Sequence, residues 1–383
     1  MRASSEKKLN ILLASAKVRA GGEAVHVYTL ARELTLMGHR VYLLTSAKDG
    51  GMCAEMLRGR IFYAPISDHS PAAQVRCIAA IKKLVKTYRF DVIHCHGRDS
   101  VFYVKCAGVR VPYVFTCHSL SLKTDVFHRA LAGGAAMNIA VSGESKRFMV
   151  EGLRIPEEKI RVVPNGVDRS TLLPLTDAEK AVLQERYYLA PDSRVACMHG
   201  RFDPRKNHIV IGRALAALPP EKRRRLVILC SGSREVPFYN TLVGELRNLG
   251  VLSNFRFTGW TVTRDILGMS DLLLAPSTEE SFLMTALEGF FMRVPVARSK
   301  TGGYEEMKDI CLGYDAMDVK AWSGILNELV ESDGPLYSDM TDRAYDSAMS
   351  RFTSRHMTEK ILDVYLSVNE SYAKSHKRDL NSV

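Results

Sequence analysis

The chain has 383 residues, is 46% hydrophobic and carries a formal net charge of +11. That length and apolar content are ample for a large core and favour two domains over one. With a mean hydropathy of −0.08 and no apolar run near the length of a bilayer crossing, no membrane-spanning helix is predicted.

The basic opening MRASSEKKLNILLAS holds a five-residue apolar run, residues 11–15, too short for a signal-peptide core. A disordered cap before a first buried strand, in a cytosolic protein, is the expectation. The cysteines at 53, 77, 95, 106, 117, 197, 230 and 311 form no CxxC, and several sit in apolar runs. Buried free thiols are therefore expected. The charge is uneven, about +12 over residues 1–170 and about −1 over the rest. Such asymmetry suits an acidic partner, either an anionic membrane surface or a phosphorylated substrate, or else a merely solvated basic face. Aromatic residues do not interleave with the basic ones, so nucleic acid is not expected as a partner.

In chain order, LNILLAS reads as a strand, followed by a loop with Gly21-Gly22, a helix over EAVHVYTLARELTLMGH and a strand over RVYLLTS. In that helix Val27, Leu30, Ala31, Leu34 and Met37 recur at helical spacing, and Gly38 suits a C-terminal cap. FDVIHCHG, VPYVFTCHS, MNIAVS and KIRVVPNG follow as short apolar runs, the form of buried parallel strands. PNGVDRSTLLPLTDAEK reads as a boundary, with Asn165-Gly166 as a turn signal and Pro164 and Pro174 as punctuation. The same grammar then repeats: strand RVACMHG, loop RFDPRKN, helix HIVIGRALAALPPEKR, strand RLVILCSGS, and further strands in NFRFTGW, DLLLAPS and VPVARS. Alternating strands and helices imply two doubly wound α/β domains. The tail carries an amphipathic helix with Phe352, Ile361, Leu362, Tyr365 and Leu366, ending in the polar stretch SHKRDLNSV, expected to fray.

Ligands of doubly wound sheets gather at the carboxyl ends of strands, and three such ends carry unusual residues. In GRFDPRKNH, Arg201 and Lys206 flank a loop that opens a helix. Cations are unfavourable at a helix N-terminus unless an anion joins them, so the pair suits a diphosphate; outward-pointing, solvated charges are the alternative. In ESFLMTALE, Glu280 falls in a turn and Glu288 about two turns into a helix. Ser277 and Glu280 fit a capping box, and Glu288 could pair with Arg293 or Arg298. A carboxylate in an apolar helix could instead accept hydrogen bonds from a diol such as ribose. Gly21-Gly22 allows close backbone approach, but a full GxGxxG is absent, and a plain tight turn serves equally.

Together these residues resemble the family 4 glycosyltransferases, retaining nucleotide-sugar-dependent enzymes of GT-B architecture. The similarity covers nearly the whole chain. Glu280 and Glu288 match the EX7E mark, and HGRFDPRKNH resembles the G-R-x-x-x-x-K-G loop. RVVPNGVD, NIAVS, DVIHCHG and the Gly-Gly loop follow the family's order. The resemblance implies two Rossmann-like domains facing a central cleft: an acceptor-binding domain over residues 1–170, a nucleotide-sugar domain over 171–350, and a helix over 351–383 that crosses back. It implies that Arg201 and Lys206 bind the donor diphosphate, Glu288 the ribose, and Glu280 the sugar. The backbone of Ser281, Phe282 and Leu283 would lie near the phosphates, and Trp260 near the base. Gly21 and Gly22 would lie by the donor phosphate and acceptor, His118 by the reacting sugar, and His96 on the acceptor side.

Two departures bear on the donor: ESFL stands where the family often has EGFG, so Leu283 narrows the site, and Asn207 replaces a glycine after Lys206. No DxD-type motif is evident, so metal-free catalysis without a cofactor is expected, with His118, Glu280, Arg201 and Lys206 as the catalytic set. His94 and His96 share a strand face, yet no matching ligand set accompanies them, and no metal is assigned. UDP is the first expectation for the base and GDP the second. The expected acceptor is a glycan or lipid-linked molecule of cell-envelope or lipopolysaccharide synthesis, with a soluble small acceptor as the alternative. The basic helix over IKKLVKTYR is a candidate for peripheral attachment to the inner face of the plasma membrane. A GT-B sugar-nucleotide epimerase would need no acceptor, and a non-catalytic binding protein would show no turnover.

Overall fold

The computed structural model describes residues 7–233 and 236–380. The expected cap of residues 1–6 and the last three residues of the tail lie outside them. The chain divides into two compact units. One runs to Gly166 and resumes at Ser354; the other spans Val167–Thr353.

The first unit is a parallel sheet of seven strands: β1 (Asn10–Ser15), β2 (Arg40–Thr45), β3 (Ile61–Tyr63), β4 (Val92–His96), β5 (Tyr113–Cys117), β6 (Met137–Ala140) and β7 (Ile160–Val162). Their order is β3-β2-β1-β4-β5-β6-β7. In β1, Leu12, Leu13, Ala14 and Ser15 are all buried, as continuous apolar runs require in a sheet covered on both faces. The helix Gly22–Leu36 turns Val27, Leu30, Ala31 and Leu34 into the core. Met37 is its C-cap, and Gly38 follows at φ +85°. The helix Ser354–Leu380 belongs to this unit and adds Met357, Ile361 and Tyr365 to the same cluster as Leu30 and Leu34. Truncating a side chain such as Ile361 to alanine there costs about 2–5 kcal/mol. That helix continues through the residues expected to fray, as far as Leu380.

The second unit holds six parallel strands: β8 (Arg194–His199), β9 (Leu226–Ser231), β10 (Phe255–Gly259), β11 (Leu272–Ala275), β12 (Val296–Ser299) and β13 (Leu312–Tyr314). Their order is β10-β9-β8-β11-β12-β13. The helix expected over residues 208–223 is two helices, His208–Ala216 and Pro220–Arg223. Pro219 and Pro220 cannot continue the first one but suit the start of the second. Two three-residue edge strands, β3 and β13, escaped the sequence reading, whereas β7, equally short, was read within KIRVVPNG. Seven cysteines are buried as expected, but Cys106 is exposed. Among the described residues no helix is long and apolar enough to cross a membrane.

In each unit the strand order reverses direction at one place, between β1 and β4 and between β8 and β11. The crevice outside the carboxyl ends of such strands is where open α/β sheets bind ligands.

Candidate active site

At the second switch point an open recess is lined by His199 at the end of β8, Gly200 after it, Ser277 after β11, and Lys206, His208, Leu283 and Thr285. The loop after β8 is tied down locally. Asp203 caps the short turn Pro204–Lys206 by accepting from the Arg205 amide. Its carboxylate lies 3.2 Å from Arg205 and 3.6 Å from Arg201. Burial pushes the Asp203 pKa up, but the hydrogen bond and charge of Arg205, with the charge of Arg201, hold it below the usual range. Asn207 adopts φ +52°, a left-handed conformation that asparagine tolerates. Its side chain donates to the carbonyls of Pro276 (3.2 Å) and Ala316 (2.8 Å). Asn207 therefore supplies the backbone turn a glycine would, and adds two tethers. Gly232 explains the close packing beneath: a Cβ there would lie 1.7 Å from the Gly200 carbonyl oxygen.

Lys206 donates to Glu280 at 2.5 Å, a half-buried ion pair. Glu280 caps no helix. The next helix begins at Met284 after Leu283, and Ser277 instead accepts at its carbonyl from Ser299. The backbone at Glu280 rests on a tight loop, since a Cβ on Gly302 would lie 2.1 Å from the Glu280 carbonyl oxygen. Buried Arg298 holds that loop through the carbonyls of Thr301 (3.0 Å) and Gly302 (2.8 Å).

Glu288 sits in the helix Met284–Phe291. It pairs with neither arginine proposed for it: Arg293 bonds Asp342, and Arg298 is committed to the carbonyls above. Among the described residues the Glu288 carboxylate has no hydrogen-bond or ion-pair partner. It keeps some exposed surface, but the protein packed around it disfavours its charge and raises its pKa to about 7. A desolvated, unpaired carboxylate marks a functional position more often than a structural one. His199 and His208 are lowered to about 4 by burial and then by the Lys206 charge, so both are neutral at pH 7.

At the first switch point, Gly21 has φ +92° and caps the helix Gly22–Leu36. A Cβ at Gly21 or Gly22 would meet nothing within 4 Å, so both face open space. Four histidine rings gather at the carboxyl ends of β4 and β5 and on that helix. His94 is saturated, bonded to the Tyr365 hydroxyl and to Thr116 Oγ1, each at 2.6 Å. His96 Nδ1 lies 3.1 Å from His118 Nε2. His26 Nδ1 lies 2.8 Å from Asn165 Oδ1, and its ring meets that of His118 edge-on at 4.7 Å. Burial lowers His26 to about 4 and drives His94, His96 and His118 well below the usual histidine range, which leaves all four neutral.

Two family models match this chain in sequence order, Glycosyltransferase Family 4 over residues 20–171 and Glycosyl transferases group 1 over residues 180–346. The chain belongs to the family 4 glycosyltransferases, and its fold is GT-B. It is an enzyme that transfers a sugar from a nucleotide sugar. A D-inositol 3-phosphate glycosyltransferase of Thermobispora bispora is 27% identical over 358 residues, covering 82% of each chain. The N-acetyl-alpha-D-glucosaminyl L-malate synthase of Bacillus anthracis is 21% identical, covering 91% of this chain and 94% of that one. Among solved structures, Anabaena HepE in complex with UDP superposes with a TM-score of 0.80 at 18% identity, over 94% of this chain and 100% of the other.

In this glycosyltransferase the residues expected from sequence fall into two groups. Lys206 and Leu283 line the recess of the second unit, and Glu280 is joined to it through Lys206. Arg201 and Trp260 are exposed; the indole lies 6.0 Å from the His199 ring. Phe282 is buried with its ring towards Phe352, so only its backbone is available to a ligand. Gly21, Gly22, His96 and His118 belong to the first unit. Sequence reading missed His199, His208 and Thr285 in the recess, and Gly302 beneath it. It also missed His26, read only as a helix position, and Asn165, read only as a turn.

Proposed function

We propose that the enzyme moves a hexose or N-acetylhexosamine, with retention, from a UDP-sugar to a glycan or lipid-linked acceptor of the cell envelope. The observation that carries the donor half is Glu288, a desolvated carboxylate with no protein partner. It suits the paired hydroxyls of a ribose, which would donate to its two oxygens. Lys206 and Glu280 satisfy each other in the free protein. A diphosphate would draw Lys206 to itself and release Glu280 for the sugar hydroxyls. As the sugar–phosphate bond breaks, charge builds on the leaving diphosphate, where Lys206, Arg201 and backbone N–H groups lower the barrier. Trp260 offers an exposed face for the base, and His118 orients the sugar. UDP as the base draws support from the solved complex of HepE.

A small anionic acceptor is the second reading. The names of two relatives specify a phosphate-bearing and a carboxylate-bearing acceptor, and the strongly basic residues 1–170 fit either. For the membrane reading, Lys82, Lys83 and Lys86 are exposed on the helix Pro71–Tyr88, while Ile81 and Leu84 are spent on the core. Attachment would thus be electrostatic adsorption to an anionic inner leaflet, without insertion.

The test is calorimetric titration with UDP, GDP and ADP in EDTA, on wild type and Glu288→Ala. Binding of one nucleotide, weakened by the substitution, supports the donor site. Equal binding by both proteins removes its main support.

A further inference from the structure

The sequence offered only His94 and His96 as neighbouring candidate ligands, and the fold breaks that pair. His94 spends both nitrogens on hydroxyls. In its place the fold delivers His26 from the helix Gly22–Leu36 and His118 from the end of β5. We propose that His26, His96 and His118 form a binding site for one borderline transition-metal cation, Zn²⁺ above all.

One nitrogen from each of these rings lies within 4.8 Å of the other two. His96 Nδ1 and His118 Nε2 are 3.1 Å apart. Two nitrogens bound to the same tetrahedral zinc at about 2.0–2.1 Å stand roughly 3.3–3.4 Å apart, so this pair needs little movement once the ring that donates the shared proton passes to its other tautomer, with the proton on its far nitrogen. His26 is oriented from behind. The Asn165 oxygen only accepts, so His26 Nδ1 carries the proton and Nε2 presents a lone pair. An outer partner that fixes the tautomer in this way is a recurrent feature of metal-ligating histidines.

Both His26 and His96 are about 1% exposed, and His26 Nε2, the nitrogen with the lone pair, is buried with no hydrogen-bond partner. Buried nitrogens without partners call for an explanation. Three neutral ligands would leave the fourth position to water, hydroxide or an anion.

A consequence rests on the proposed function: with His118 held by a metal, its contact with the donor sugar is lost. Zinc would inhibit transfer, and EDTA or excess donor would restore it. The site would therefore be inhibitory.

The test uses the untagged full chain, stripped with EDTA and dialysed. Co²⁺ should give the intense visible bands of tetrahedral coordination, saturating at one equivalent and displaced by Zn²⁺. X-ray absorption of the zinc form should report three imidazole nitrogens. His26→Asn and His118→Asn should each lose the bands, with far-UV circular dichroism confirming folding. Absence of a one-equivalent tetrahedral spectrum in wild type, or fewer than three imidazoles, overturns the proposal without reference to any variant. Bands that survive in a folded His118→Asn protein also overturn it. Tight binding without inhibition would keep the metal site and refute instead the placing of His118 at the sugar.

Discussion

The two sheets share one winding, yet their switch points differ in chemistry. Behind β8 and β11 stand charges: Arg201, Lys206, Glu280 and Glu288. Behind β1 and β4 stand an open glycine pair and neutral histidines, with Glu23 held by the Ser15 hydroxyl at 2.9 Å. Topology supplies the same crevice twice, because a reversal of strand order splays the flanking helices whatever the side chains are. The side chains alone decide what each crevice can hold: under the proposed function, a diphosphate in one and the reacting sugar beside the other. Under the proposed function the cations belong where charge develops on the leaving phosphate, since stabilising it there lowers the barrier.

The sharpest way to break the comparison is to remove the charge on one side. Lys206→Met should lower kcat/KM by about 10²–10³-fold, in line with the loss of one preorganised charge at a developing anion. Transfer assays with the matching UDP-sugar would check this. His118→Ala, on the neutral side, should leave the affinity for UDP within about twofold while turnover falls about tenfold. Loss of UDP affinity in that variant would erase the division of labour.

Gly302→Ala tests positioning without touching any charge. Its methyl would collide with the Glu280 carbonyl, so the loop must shift and donor affinity should fall about tenfold, with circular dichroism unchanged.

Glu288→Gln separates function from stability. Folding raises the pKa of this carboxyl from 4.5 to about 7, so the native state holds the proton more tightly than the unfolded chain. Stability from this group is intact below pH about 4.5 and is lost as the pH rises towards 7, by up to about 3 kcal/mol. The amide variant should melt a few degrees higher at pH 8, lose this pH slope and bind nucleotide about tenfold more weakly. A melting temperature with the wild-type pH dependence would show that Glu288 is not the group responsible.

The smallest effect belongs to Asn207→Gly. Glycine relieves the left-handed strain but forfeits two hydrogen bonds, for a net loss of about 1 kcal/mol. Donor affinity should stay within about threefold, as measured by the same calorimetry.

Much of this was legible in the residues themselves. Parallel strands announced themselves as short apolar runs because both faces of the sheet are covered. The edge strands β3 and β13 went unread. The charged crevice was readable because cations at a helix start and carboxylates in an apolar helix are costly unless something compensates them. What that something is for Glu280 and Glu288 was left open between a ligand and a local partner. A capping box and a salt bridge both fitted the spacing, and the fold uses neither.

By itself, then, the sequence determined two doubly wound units, because short-range pattern is a property of contiguous segments. Only the tertiary structure decided which groups remain unpaired. Lys206 finds Glu280 across 74 positions, and Asn165 reaches back 139 positions to orient His26. Saturating His94 while leaving His26 and His96 each with a bare nitrogen is equally a product of packing, because hydrogen-bond satisfaction depends on neighbours that chain order does not reveal.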